Sequence, residues 1–144
     1  MCREAGARVG TNRLITELNL DVVRQGERKI EVVPNGIDVE HFRPNPETAK
    51  WFRAELQVDA STRLLGRIAR FDPMKDYETF LRSVSIVNER SKIHVVCVGD
   101  TQSEQGRKTK TLAEELGISN KITWLPPRSD VAPIIQSLDM LVSS

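Results

Sequence analysis

From residue 63 onward the sequence alternates between two kinds of segment, and this rhythm restricts the fold more than any other feature. Arg63-Leu-Leu-Gly-Arg-Ile-Ala69, Lys92 to Gly99, Ile122-Thr-Trp-Leu125 and Leu138 to Ser143 are short runs dense in apolar and β-branched residues, each read as a strand. Between them, Asp76 to Arg90 carries Phe80, Leu81, Val84 and Val87 at helical spacing, and Glu104 to Leu116 is a second helix stopped by Gly117. Asp130 to Ser137 is a third, shorter helix, with Asp130 as its N-cap and Pro133 in its first turn. Strands and helices in strict alternation make βαβ units. Right-handed crossovers then place helices on both faces of a parallel sheet, so the expected fold class is α/β. Such sheets bind ligands beyond the carboxyl ends of their strands. That directs attention to Arg70 to Lys75, Gly99 to Gln105, Pro126 to Ser129 and whatever follows Ser144.

Upstream the pattern is weaker. Leu14, Ile15, Leu18, Val22 and Val23 fit one face of a helix over residues 3 to 25, weakened at Gly6 and Gly10 and stopped at Gly26. Ile30-Glu-Val-Val33 reads as a short strand and Pro34-Asn-Gly36 as a tight turn. Pro46 suits the start of a helix over Glu47 to Gln57, which would bury Trp51, Phe52 and Leu56.

Composition excludes several classes. The 144 residues suffice for one ordinary domain, and 39% hydrophobic with 28% charged residues is a globular profile. A formal net charge of +1 provides no overall field for nucleic acid or membrane, so any anion site must rest on a few placed cations. The cysteines, Cys2 and Cys97, make neither a disulfide framework nor a zinc spacing, which favours a reducing compartment; Cys97 reads as a small buried hydrophobe. No apolar run is long enough to cross a bilayer, and the first eight residues lack the apolar core of a signal peptide.

The chemistry-bearing candidates lie in the loops after the strands. Arg70-Phe-Asp-Pro-Met-Lys75 places two cations around a proline-stiffened turn at a helix N-terminus, where unpaired N–H groups favour anions. Arg70 can grip two phosphate oxygens and Lys75 adds a point charge; the competing reading is a solvated loop. Gly99-Asp100 ends a strand where backbone can approach a ligand closely, or forms a plain turn. Arg128 either lines a pocket or faces solvent, and Asp130 reads as a cap. His41 and His94 do not share a site in the pattern, and His94 reads as structural within its strand. There is no GxGxxG fingerprint, no Walker A loop, no nucleophile elbow and no carboxylate pair, and no catalytic residue is assigned.

Together these segments resemble one family. Ile30-Glu-Val-Val-Pro-Asn-Gly-Ile-Asp-Val-Glu-His-Phe-Arg-Pro44 resembles the Pro-Asn-Gly-Ile/Val-Asp…Phe segment of family 4 retaining glycosyltransferases. Gly66-Arg-Ile-Ala-Arg-Phe-Asp-Pro-Met-Lys-Asp76 resembles their Arg…Lys donor-phosphate loop, and His94-Val-Val-Cys-Val-Gly-Asp100 their strand ending in Gly-Asp. Leu116 to Leu125, Arg128-Ser-Asp-Val131 and Leu138 to Ser144 resemble the segments that follow. The resemblance implies the GT-B arrangement, two Rossmann-like domains facing across a cleft, the first for acceptor and the second for a nucleotide-diphosphate sugar. It implies Arg70 and Lys75 as diphosphate ligands, with Gly99, Asp100 and Arg128 as candidates to line the donor pocket. It implies no metal and no other cofactor, the nucleotide sugar being a substrate. Two positions depart from the family pattern: Pro126 stands where Gly is common, and Asp76 replaces a frequent Gly.

On this reading residues 1–36 are a remnant of the acceptor domain, 37–62 a linker and connecting helix, and 63–144 an incomplete C-terminal half of a GT-B fold. The function expected is retaining transfer of a sugar to a saccharide or lipid-linked saccharide. The rival is a non-catalytic nucleotide-diphosphate-binding remnant, or an interaction subunit of a split transferase. Exposed edges at Ile30 to Val33 and Leu138 to Val142 suggest self-association, pairing with the missing halves of a transferase, or docking of the N-terminal segment on the sheet. The location expected is cytoplasmic, or peripheral at the inner face of a membrane.

Overall fold

The structure, a computed structural model, describes residues 8–10, 30–32 and 36–143. The chain divides into two compact units, residues 1–39 and 40–144.

In the first unit, β1 (Arg8–Gly10) and β2 (Ile30–Val32) pair in parallel, with Arg8 opposite Ile30 and Gly10 opposite Val32. The strand expected at Ile30 is therefore present. The helix expected over residues 3 to 25 is not helical at Arg8–Gly10; the rest of it, and the stop at Gly26, lie outside the described residues. A parallel neighbour pairs one side of β2, and the glycines at 6 and 10 weaken the helical alternative. So β2 has a partner, β1.

The second unit begins with α1 (Pro46–Glu55), which Asn45 caps by accepting from the N–H groups of Glu47 at 3.1 Å and Thr48 at 3.2 Å. Then follow β3 (Arg63–Ile68), a 3-10 turn (Pro73–Lys75), α2 (Tyr77–Asn88), β4 (Ile93–Val98) and α3 (Glu104–Glu115). A second 3-10 turn (Ser119–Lys121), β5 (Ile122–Leu125), α4 (Ala132–Ile135) and β6 (Met140–Leu141) complete it. Gly117 stops α3 with φ of 68°, as its position predicts. The sheet order is β5-β4-β3-β6 and every pair is parallel. The chain thus steps outward from β3 through β4 to β5, then returns to the far side of β3.

Helices cover both faces. Tyr77, Phe80, Leu81 and Val84 of α2 and Ala113 of α3 pack with Ile93, Val95 and Cys97 of β4 on one face. Phe52 of α1 and Ile134 of α4 pack with Leu64, Val96 and Val98 on the other. Alternate residues of β4 feed the two cores, as the two-residue period of a strand requires. Fully buried side chains such as Leu81 and Leu64 each contribute about 2 kcal/mol of apolar transfer. This is the α/β, Rossmann-like sheet that the alternation predicts.

Three local expectations change. Trp51 is 61% exposed while Phe52 is 4% exposed, because neighbours on a helix point about 100° apart and only one can face the sheet. The last strand shrinks from Leu138–Ser143 to two residues, with Asp139 N–H donating to Leu64 O at 2.9 Å and Val142 N–H to Gly66 O at 2.8 Å on either side. The helix from Asp130 shrinks to Ala132–Ile135; Asp130 Oδ1 accepts from the Ala132 N–H at 3.2 Å, one residue short of the cap position.

Candidate functional site

The loop between β3 and α2 is built by two aspartates. Asp72 Oδ1 accepts from the Met74 N–H at 2.9 Å, and the Lys75 N–H donates to the Asp72 carbonyl at 2.9 Å, which closes the 3-10 turn behind Pro73. Asp76 then adopts a left-handed conformation, φ 41° and ψ 58°, and its Oδ1 accepts from the Thr79 N–H at 3.1 Å to cap α2. Hydrogen bonds from the Thr79 side chain first, and its backbone N–H second, hold the exposed Asp76 carboxyl below its ordinary value. A left-handed backbone is the natural place for Gly, and Asp is among the few other residues that tolerate it. The turn leaves Arg70 and Lys75 exposed at its two ends.

Beyond the carboxyl ends of β3, β4 and β5 lies an open cleft of about 540 Å³. Arg70, Gly99, Asp100 and Arg128 all line it, together with Phe71, Asp72, Ser103 and Pro127. The structure therefore gathers four of the five sequence candidates; Lys75 is not among the lining residues. Gly99 has a packing reason as well: a Cβ there would sit 2.8 Å from the Ala69 carbonyl oxygen and 2.8 Å from the Phe71 ring. Phe71 is itself buried, with its ring centroid 4.5 Å from that of Tyr77 and 5.9 Å from that of Trp124. Ser103 caps α3 by accepting from the Gly106 N–H at 3.0 Å, and its hydroxyl donates to the Asp100 carbonyl at 2.7 Å.

The charges in the cleft are unevenly engaged. Asp72 and Asp100 each turn Oδ1 onto a backbone N–H, of Met74 and Gln102 respectively, both at 2.9 Å. Among the described residues Arg70 has no carboxylate within ion-pair distance, and Arg128 donates from Nε only to the Asp130 carbonyl, at 2.9 Å. The cleft thus offers two guanidinium groups, a capped helix end and a glycine-flanked backbone, a set suited to an anion rather than a cation. Among the described residues no three His, Cys, Asp or Glu side chains gather so as to hold a metal ion.

The other candidates sit elsewhere. His94 Nε2 lies 2.8 Å from Thr123 Oγ1 between neighbouring strands, consistent with a structural part. His41 Nε2 is 3.8 Å from Asp130 Oδ1, on an exposed surface. Burial pushes the Cys97 thiol up to about 12, which leaves it inert as a nucleophile. The residue that sequence reasoning passed over is Arg67. It lies inside β3 and is 2% exposed, and Nη2 donates to the Lys75 carbonyl, beneath the loop that carries Arg70. The available signal was a charged residue between Leu65 and Ala69 on one face of the strand.

The family model described as glycosyl transferases group 1 matches residues 50–144, which include every element around the cleft. The chain belongs to the group 1 glycosyl transferases. It is 34% identical over 105 residues to a D-inositol 3-phosphate glycosyltransferase of Mycolicibacterium gilvum, covering 70% of this chain and 22% of that protein. A D-inositol 3-phosphate glycosyltransferase of Corynebacterium jeikeium is 34% identical over 106 residues, with 69% and 25% covered. Among solved structures, a glycosyltransferase from Rickettsia africae superposes with a TM-score of 0.80 at 18% identity, covering 97% of this chain and 38% of that one. Anabaena HepE in complex with UDP and glucose superposes with a TM-score of 0.76 at 16% identity, covering 96% and 38%. At such identities the likeness speaks for the fold, part of a GT-B glycosyltransferase. The chain spans about a quarter of the length of these curated relatives and 38% of each of these solved chains. Among the described residues no helix is long and apolar enough to cross a membrane.

Proposed function

We propose that this group 1 glycosyl transferase chain supplies the donor side of a retaining transfer, its cleft taking the diphosphate and nucleoside of a nucleotide sugar. The observation that carries this reading is the convergence of Arg70, Gly99, Asp100 and Arg128 on one cleft at the carboxyl ends of three parallel strands. A neighbour of the same fold, Anabaena HepE, has been seen with UDP and with UDP-glucose, which supports a nucleotide-sugar ligand. In this reading Arg70 is the principal diphosphate ligand. Lys75, at the far end of the same turn, reaches the outer phosphate with its flexible stem. Protein cations and backbone N–H groups then neutralise the departing diphosphate, with no metal required. Residues 63–144 form the donor-binding part, and the acceptor, a saccharide or lipid-linked saccharide, faces it from another part of the transferase. The cytoplasm, where nucleotide sugars and reduced thiols coexist, is the compartment this implies.

Titration of the 144-residue chain with UDP and with GDP, followed by calorimetry or NMR, tests the assignment. The Kd expected is on the order of a millimolar, since one wall of the site binds alone. An Arg70→Ala, Lys75→Ala double variant should lose most of that affinity and keep its fold; equal binding by parent and double variant rejects the site. The same chain should transfer no sugar by itself, because both reactants must be held together for reaction; sustained turnover would contradict this. The outer edge of β6, with Met140 59% and Leu141 50% exposed, is proposed to pair with a second copy in the isolated chain. Sedimentation at two concentrations reads this directly, a single monomeric species excluding it.

A further inference from the structure

Arg67 is nearly sequestered from solvent, at 2% exposure, in the interior of β3. Its guanidinium carbon stands 4.6 Å from the centroid of the Tyr77 ring and 4.8 Å from that of Phe80, so the cation is stacked against two aromatic faces of α2. From this stack Nη2 donates to the carbonyl oxygen of Lys75, the last residue of the donor loop. The Tyr77 hydroxyl donates to the Ala69 carbonyl at 2.9 Å, just before the first residue of that loop. Between these anchors, the buried Phe71 packs on the same Tyr77 ring. Both ends of the segment that carries Arg70 and Lys75 are therefore tied to one buried cation–aromatic stack.

Burying a guanidinium is costly, and a methionine or leucine would fill the same volume between two rings without that cost. What the guanidinium adds is direction: a fixed donor aimed at one carbonyl. We infer that Arg67 is a positioning residue for the donor site, holding the Arg70–Lys75 loop in the geometry that grips a diphosphate without touching the ligand itself. This rests on the reading of Arg70 and Lys75 as diphosphate ligands.

The test uses UDP as the probe and the whole 144-residue chain. Arg67→Met keeps the apolar contact with Tyr77 and Phe80 and removes the donor, and should weaken UDP binding about tenfold with the circular dichroism unchanged. Arg67→Lys restores a donor and should recover part of that loss. In an Arg70→Ala, Lys75→Ala background, Arg67→Met should change UDP affinity less than about twofold, because the loop then presents nothing to position. If Arg67→Met binds UDP as the parent does while the double variant binds worse, the positioning role is wrong and the donor site stands. An Arg67→Met effect that persists undiminished in the double-variant background means the charge acts through space, which also overturns the role. A double variant that binds UDP like the parent removes the site reading itself. Should Arg67→Met fail to fold, Tyr77→Phe, which removes the hydroxyl's bond to Ala69 and its interaction with the Arg67 side chain, decides: unchanged UDP affinity overturns the inference and weakened binding supports it.

Discussion

The two ends of the four-stranded sheet use arginine in opposite ways. At the amino ends of the strands, Arg53 and Arg63 converge on Asp139, with Arg63 Nη1 3.3 Å from Asp139 Oδ1 and Arg53 Nη2 bonded to Oδ2. Arg53 also donates to the Thr62 carbonyl at 3.0 Å, and Asp139 Oδ2 accepts from the Leu64 N–H at 2.7 Å. Partial burial alone would raise the Asp139 carboxyl; the Leu64 N–H and the two arginines outweigh it and hold it below its ordinary value. At the carboxyl ends, Arg70 and Arg128 face an open cleft whose aspartates are turned onto backbone N–H groups. An arginine given a carboxylate by the fold joins α1, β3 and β6. An arginine beside the cleft has no carboxylate partner among the described residues and stays exposed, as the proposed anion site requires. Position at one end of a parallel sheet or the other thus separates charge paired within the fold from charge open to solvent.

Removing the hub is the strongest way to strain this contrast. Asp139→Ala leaves two arginines and the Leu64 N–H without their shared acceptor and should cost about 2–3 kcal/mol in urea unfolding. UDP affinity should stay within about twofold of the parent; an equal loss of binding would show that the two ends are not independent. Gly99→Ala probes the cleft end, where the new Cβ meets the Ala69 carbonyl and the Phe71 ring at 2.8 Å. A loss of about 1–2 kcal/mol is expected, and here UDP binding should weaken too, because Phe71 belongs to the donor loop. Unchanged binding would detach the loop from its packing.

A smaller effect should follow pH. Burial first, and the charge of Lys121 second, hold the His94 imidazole below its ordinary value of 6.5. The unfolded chain therefore takes up the proton before the folded one. The contribution of this group to stability is whole above about 6.5 and is lost as pH falls toward the lower folded value. Urea midpoints should thus drop between pH 7.5 and 5.5, and His94→Gln, which can keep a bond to Thr123, should flatten that slope; a parental slope in the variant would remove His94 as its cause. The smallest change in stability is expected for Arg70→Ala, within about 0.5 kcal/mol, since its side chain is exposed and has no carboxylate partner among the described residues. Its large effect should be on nucleotide binding, the reverse of Asp139→Ala.

Much of this was legible because it depends on neighbours along the chain. The alternation of β-branched runs with helical spacings gave the parallel sheet and its covered faces, and the loops after the strands supplied Arg70, Gly99, Asp100 and Arg128. Gly117 as a stop was also a local matter, settled within a few residues. The short final strand was less so: among the described residues Met140–Leu141 pairs with β3 alone, and its extent depends on how that neighbour receives it.

The sequence by itself determined the class of fold, the order of strands and α-helices from residue 46 onward, and the end of the sheet where the candidate residues gather, since periodicity and capping act over single turns and strands. Only the tertiary structure decided which side chains meet across that sheet. Trp51 and Phe52 have equal claims to the core by composition, and the face that α1 turns to the sheet chose Phe52. Gly99 reads as an opening for a ligand, while in space it also makes room for Phe71. Arg67 is one charged residue in an apolar run until Tyr77, Phe80 and the Lys75 carbonyl arrive around it. Such contacts join residues that the strand, loop and helix periods cannot relate, so they exist only once the backbone has been folded back on itself.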